Sequence, residues 1–98
     1  MGNQQMDKKG RITVPSYIRG QMRIQRGSQM VLGVKGRKLH VYRLDGFEEK
    51  TKGIRDRNAR RDIFSRFYNE ELDGQGRITI PIQLRGQLGS QQVEVVYH

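Results

Sequence analysis

The sequence predicts an α+β fold, mainly β. Two internal repeats pair about a pseudo-two-fold axis into a small interleaved β-barrel, with short helices and a helical spacer. Three observations lead there. A 17-residue segment occurs twice. Each copy holds a glycine turn, a β-branched run and a short helix, too little to bury itself alone. Hydrophobic residues are only 34% of the 98 residues, and the net charge is +9, a composition unsuited to a large self-sufficient core.

One copy opens Met6-Asp7-Lys8-Lys9-Gly10-Arg11-Ile12-Thr13-Val14-Pro15, the other Leu72-Asp73-Gly74-Gln75-Gly76-Arg77-Ile78-Thr79-Ile80-Pro81. Across residues 6–22 and 72–88, nine of 17 positions are identical, and four more exchange one apolar residue for another. Gly10 and Gly76 suit a turn that needs positive φ. Ile12-Thr13-Val14 and Ile78-Thr79-Ile80 are β-branched and predict short strands. Pro15 and Pro81 can stand at the first turn of a helix. In that helix Ile18 and Met22, like Leu84 and Leu88, sit four apart on one buried face. Gly20 and Gly86 limit it to about two turns. Each copy then reaches Gly-Ser-Gln, at 27–29 and 89–91.

Between the copies, Met30–Val34 and Leu39–Tyr42 predict two strands, joined by a hairpin turn over Lys35-Gly36-Arg37-Lys38. Asp45-Gly46 opens a helix to about Lys52, which Gly53 breaks. Asp56 or Asn58 caps a second helix through about Tyr68, with Ile63, Phe64 and Phe67 on its apolar face. Val93–Tyr97 is the closing strand. It lacks the partner that Leu39–Tyr42 gives the first copy, so its open edge is expected to be covered by the other half of the barrel or by a second chain. The chain is expected to be a single domain over 1–98. Repeat one covers about 6–44, the helical spacer about 45–70 and repeat two about 71–98.

Several function classes fall away. The chain has no cysteine, hence no disulfide framework, thiolate zinc site or thiol nucleophile. His40 and His98 are the only histidines, too few for a His-based metal cluster or a triad, and read as structural or incidental. Asp7, Asp73, Glu70 and Glu71 form no acid–base pair by spacing. Neither a metal nor a cofactor is expected, nor an enzyme. No apolar run approaches the ~18–20 residues of a membrane span, and the N-terminus lacks an apolar secretory segment. The reading is a cytoplasmic chain without a membrane partner. The charge is uneven. Residues 1–34 carry six basic and one acidic side chain, 35–66 eleven and five, and 67–98 two and four. The basic excess in the first two-thirds points to a polyanion, nucleic acid first.

The doubled Asp-x-x-Gly-Arg, each followed by Ile-Thr-(Val/Ile)-Pro and a later Arg (Arg19, Arg85), resembles the MraZ family of bacterial transcription regulators, within the AbrB/SpoVT swapped-hairpin superfamily. His40-Val41-Tyr42-Arg43-Leu44-Asp45-Gly46-Phe47-Glu48 is similar to that family's strand running into an aromatic-containing helix, with Phe47 where the family has Trp. Asn58-Ala59-Arg60-Arg61 is similar to its Ala-Arg-Arg element. The similarity covers nearly all of residues 6–97. It implies a swapped-hairpin, cradle-loop-like barrel. It also implies a DNA-facing surface on the Asp-x-x-Gly-Arg segments, which marks Lys8, Lys9, Arg11, Gln75 and Arg77. The strands leading into the two motifs are three or four residues shorter than the family's, and its last hairpin and C-terminal helix are missing after Tyr97.

Each residue also has a plainer reading. Asp7–Arg11 and Asp73–Arg77 make ion pairs that hold the turns, a role favoured for the aspartates because a carboxylate is repelled by phosphate. The arginines can reach phosphate or the guanine edge bidentately. Asp7, Gly10, Asp73 and Gly76 are the structural turn residues. Arg19 and Arg85 either back up the DNA face or bridge to a neighbouring carboxylate. Arg55, Arg57, Arg60, Arg61 and Arg66, interrupted by Asp56 and Asp62, read as a solvated or subunit-facing helix. The functional expectation is a sequence-specific DNA-binding transcription regulator, a homo-oligomeric, nucleoid-associated repressor. The alternatives are an AbrB-type antitoxin, disfavoured because no acidic arm follows Tyr97, and a shortened or engineered barrel scaffold without regulatory activity.

Overall fold

The computed structural model describes residues 2–98. In chain order its elements are β1 (Gly2–Gln5), β2 (Arg11–Thr13), α1 (Ser16–Met22), β3 (Gln29–Lys35), β4 (Lys38–Arg43), α2 (Leu44–Thr51), α3 (Arg57–Arg66), β5 (Phe67–Glu71), β6 (Arg77–Thr79), α4 (Ile82–Leu88) and β7 (Gln92–Tyr97). The fold is α+β. Five strands form one sheet in the order β1-β7-β4-β3-β5, and β2 pairs with β6 as a two-stranded ribbon.

The sheet has two faces because successive side chains of a strand point to opposite sides. Met30, Leu32, Leu39, Val41, Val93 and Val95 enter a core shared with Ile12, Val14, Ile78 and Ile80 of the ribbon region. Ile18 and Met22 of α1 and Leu84 and Leu88 of α4 complete it, on the helical faces that their spacing predicts. Val31 and Tyr42, from the other set of positions, join Phe47 in a smaller cluster with Leu44, Ile63 and Phe67. The helices α2 and α3 therefore cover the face away from the ribbon.

The predicted hairpin is present. Gly36 and Arg37 have φ of 57° and 63°, and Lys35 pairs with Lys38. Two adjacent left-handed residues match the right-handed twist of the flanking strands. The first spacer helix runs over the expected stretch. The second, capped by Asp56 through a bond from Asn58 N at 3.0 Å, stops at Arg66 and not at Tyr68. From Phe67 the chain becomes β5, antiparallel to β3 with Phe67 opposite Gly33. The pairing wins because Gly33 has no side chain: the Phe67 ring fills the space that a Cβ would take. Phe64 remains 43% exposed.

The repeat strands lie one residue earlier than the β-branched runs suggest, at Arg11–Thr13 and Arg77–Thr79. Val14 and Ile80 follow the ladder and send their amides to Gly76 O and Gly10 O, both at 2.8 Å. The closing strand lies between β1, antiparallel, and β4, parallel, so both its edges are covered within one chain. Its partner β1 is Gly-Asn-Gln-Gln, which carries no alternating apolar signal. Beyond it, His98 stacks on Tyr42 with ring centroids 4.1 Å apart and meets His40 at 2.8 Å, Nε2 to Nδ1, closing the parallel pair.

The contrast between two glycines tests this packing. Gly33→Ala is expected to lose about 1–3 kcal/mol, because the new methyl must displace the Phe67 ring. Gly46 lies inside α2 with open space around its Cα, so Gly46→Ala should gain about 0.5–1 kcal/mol. Urea denaturation of the two variants measures both.

Candidate nucleic-acid interface

The site is built from one loop used twice. In the first, Asp7 Oδ1 accepts from Lys9 N and Arg11 N, both at 2.9 Å, and Oδ2 accepts from Arg11 Nε at 2.8 Å. In the second, Asp73 Oδ1 accepts from Gln75 N and Arg77 N, both at 2.8 Å, and Oδ2 from Arg77 Nε at 3.0 Å. Main-chain bonds close each loop: Asp7 N to Arg11 O at 2.8 Å and Gly10 N to Asp7 O at 3.0 Å, matched by Asp73 N to Arg77 O at 2.9 Å and Gly76 N to Asp73 O at 3.1 Å. The sharp reversal needs φ of +77° at Gly10 and +75° at Gly76, open to glycine at little cost.

The aspartates thus act as turn residues. Above all the amides of Arg11 and Arg77 hold their carboxyls below the ordinary carboxylate value, and the guanidinium bonds add to this. Each ion pair uses Nε, which leaves the two terminal nitrogens of the guanidinium for an outside acceptor. Arg11 and Arg77 are about a quarter exposed. Lys8, Lys9 and Gln75 are exposed at the loop tips.

The ribbon brings the two loops together. Ile12 faces Ile78 at its centre, Arg11 pairs with Thr79 and Thr13 with Arg77. With Ile12 and Ile78 each 1% exposed on the inner side, alternation puts Arg11, Thr13, Arg77 and Thr79 on the outer side. The five candidates Lys8, Lys9, Arg11, Gln75 and Arg77 therefore belong to one ribbon and its two ends.

Arg19 and Arg85 take positions that the sequence does not reveal. Arg85 donates Nε to Ile80 O at 2.8 Å and Nη2 to Lys9 O at 3.2 Å, and its guanidinium occupies the place of a Cβ at Gly10. Arg19 donates Nε to Val14 O at 3.1 Å and lies 2.8 Å, at Cζ, from where a Cβ of Gly76 would be. Each helix arginine braces the turn of the other repeat. Neither bridges to a carboxylate among the ion pairs of the described residues, which removes that expectation. The spacer arginines lie elsewhere. Arg60 donates to Thr51 O and Ile54 O at 3.0 and 3.3 Å, holding the end of α2. Arg66 pairs with Asp62 at 3.1 Å, and Arg55, Arg57 and Arg61 are exposed.

The loops carry an acid sensitivity of defined sign. Because folding lowers both carboxyl pKa values from the ordinary 3.8, the unfolded chain takes up protons first as pH falls. The stabilisation is intact above about pH 4 and is lost as pH falls through the lowered values. The double variant Asp7→Asn/Asp73→Asn is expected to melt lower than the parent at neutral pH and to lose less Tm on acidification. Thermal melts across the acid range check this; parallel slopes would assign the acid sensitivity to other groups.

No protein-family profile matches the chain. It is 38% identical over 93 residues to the Transcriptional regulator MraZ of Alkaliphilus metalliredigens (strain QYMF), a match that covers 85% of this chain and 62% of that protein. The chain thus spans less than two thirds of that relative's length. This homology, over most of a chain that folds its two Asp-x-x-Gly-Arg segments into one paired unit, makes it an MraZ-like protein.

Proposed function

We propose that this protein is a sequence-specific DNA-binding transcription regulator, without enzymatic activity, whose DNA surface is the β2–β6 ribbon and its two end loops. The observation that carries the reading is the in-register ribbon, with Arg11 and Arg77 on its outer side and Lys8, Lys9 and Gln75 at its ends. A two-stranded ribbon has the width that the major groove of B-DNA admits. The lysines supply phosphate attraction. The arginines, held at Nε by aspartate, present their terminal nitrogens to a guanine edge or a phosphate, and Gln75 offers an amide for an adenine edge. The name of the A. metalliredigens relative supports transcription regulation.

The finer reading follows from the same geometry. Ribbon and five-stranded sheet share one core and are read as the two walls of a small swapped-hairpin barrel. Residues 1–98 act as one domain, with repeats at about 6–44 and 71–98 around the spacer. One ribbon is a small contact, so homo-oligomers on repeated DNA boxes would supply avidity. Occupying a promoter in this way represses it, in the cytoplasm at the nucleoid.

The test is a binding series on a selected DNA and a random duplex over a range of salt. Lys8→Ala/Lys9→Ala should flatten the plot of log K against log salt by up to about two units per chain and weaken both DNAs alike. Arg11→Ala and Arg77→Ala should each cost on the order of 1–3 kcal/mol on the selected DNA and less on the random one. Equal losses on both DNAs would make the arginines phosphate clamps; unchanged binding in all variants would move the DNA surface to the Arg55–Arg66 segment.

A further inference from the structure

The two loops match in backbone and differ in charge. Lys8 and Lys9 in the first are replaced by Gly74 and Gln75 in the second. The second loop nevertheless has a cation beside it. The side chain of Arg26 runs along Gly74: a Cβ on that glycine would meet Arg26 Cδ at 3.4 Å, Nε at 3.6 Å and Cζ at 3.8 Å. Backbone bonds fix this neighbourhood. Gly27 N donates to Leu72 O and Leu72 N to Ser28 O, both at 2.9 Å, which fastens the turn after Arg26 to the residue that opens the second loop. Ile24, buried to 6% exposure, anchors the approach, while Arg26 is exposed.

The other half is fastened by a single bond, one position further along its Gly-Ser-Gln turn, and without the cation. Met6 N donates to Gln91 O at 2.8 Å, and the turn there is Gly89-Ser90-Gln91. The difference is an insertion. From the motif arginine to Gly-Ser-Gln the first copy is four residues longer, and Arg23-Ile24-Gln25-Arg26 fills the extra length. The carboxylate of the second loop, Asp73, is already engaged by two amides and Arg77. Arg26 has no acidic partner among the ion pairs of the described residues.

We infer that Arg26 is a nucleic-acid-binding residue, which supplies from outside the motif the phosphate-binding cation that the second Asp-x-x-Gly-Arg loop lacks. This rests on the reading of both loops as DNA surface. In that arrangement the Arg26 stem lies within ordinary van der Waals reach of position 74, beside the loop and not on it. An exposed guanidinium there can grip a backbone phosphate through two parallel bonds. The first loop carries its cations on itself, and the second borrows one from the first repeat.

The experiment compares salt dependence of binding to a random duplex, and thermal stability, for four proteins: parent, Lys8→Ala/Lys9→Ala, Arg26→Ala and Arg26→Ala/Gly74→Lys. Arg26→Ala is expected to flatten the salt plot by about 0.9 per chain, the contribution of one phosphate, with Tm unchanged. Adding Gly74→Lys, which sets a cation where Lys8 stands in the first loop, should restore the slope. If the Lys8/Lys9 variant flattens the plot and Arg26→Ala does not, Arg26 is packing only and this inference alone fails. A slope lost together with Tm and not restored by Gly74→Lys also overturns it, as a structural effect. If neither variant changes the slope, the DNA reading of the loops fails and Arg26 falls with it.

Discussion

The reciprocal packing of two arginines under two glycine turns is the constraint on which the ribbon depends. Arg85 lies where Gly10 has no side chain, and Arg19 lies where Gly76 has none. Each arginine is tied by Nε to the carbonyl of Ile80 or Val14, the residue that enters its own helix. Those two residues donate their amides to the glycine carbonyls of the opposite loops. Each loop closes on its own bonds, but its glycine turn is braced by the helix arginine and by a main-chain amide of the other repeat. A side chain at either glycine meets two penalties at once, the left-handed backbone and the guanidinium.

The aspartate in each loop serves a second purpose, electrostatic order. It satisfies two main-chain amides that the sharp reversal leaves without strand partners, and it fixes the arginine at a single nitrogen. A guanidinium held in this way has less rotamer freedom to lose on binding, which is the general advantage of a preorganised contact. The carboxylate also offsets part of the arginine's charge. On the proposed DNA reading, long-range attraction for a polyanion would then come more from Lys8 and Lys9 at the first loop tip than from the motif arginines.

The five-stranded sheet separates this surface from the spacer. One face of the sheet is the floor of the main core, under the ribbon and the two short helices. The opposite face carries the small aromatic cluster around Tyr42 and Phe47, with Phe67 laid over Gly33. Arg60 ties α3 to the end of α2 through two carbonyls and stands 5.0 Å from the Phe64 ring centre. One arginine of the spacer thus has a structural duty, and its exposed neighbours lie on the sheet face away from the ribbon.

Local chemistry made much of this protein legible from sequence alone. The repeat, the glycine turns, the paired helices with Ile18, Met22, Leu84 and Leu88 inward, the β3–β4 hairpin and the capped α3 all follow from spacing, β-branching and backbone preference, which act over a few residues. The Asp–Arg pairs were legible too, because four residues on a tight turn bring the side chains within reach. Tertiary structure decided the rest. β1 is polar and becomes a strand only because β7 offers it an edge. Phe67 leaves the helix because a glycine on a distant strand makes room for its ring. Arg19, Arg85 and Arg26 each lie against a glycine of the other repeat, and a residue without a side chain leaves no mark in the sequence of what fills its place. Contacts between residues dozens of positions apart depend on how the halves interlock, and that geometry is a property of the folded chain and not of any window within it.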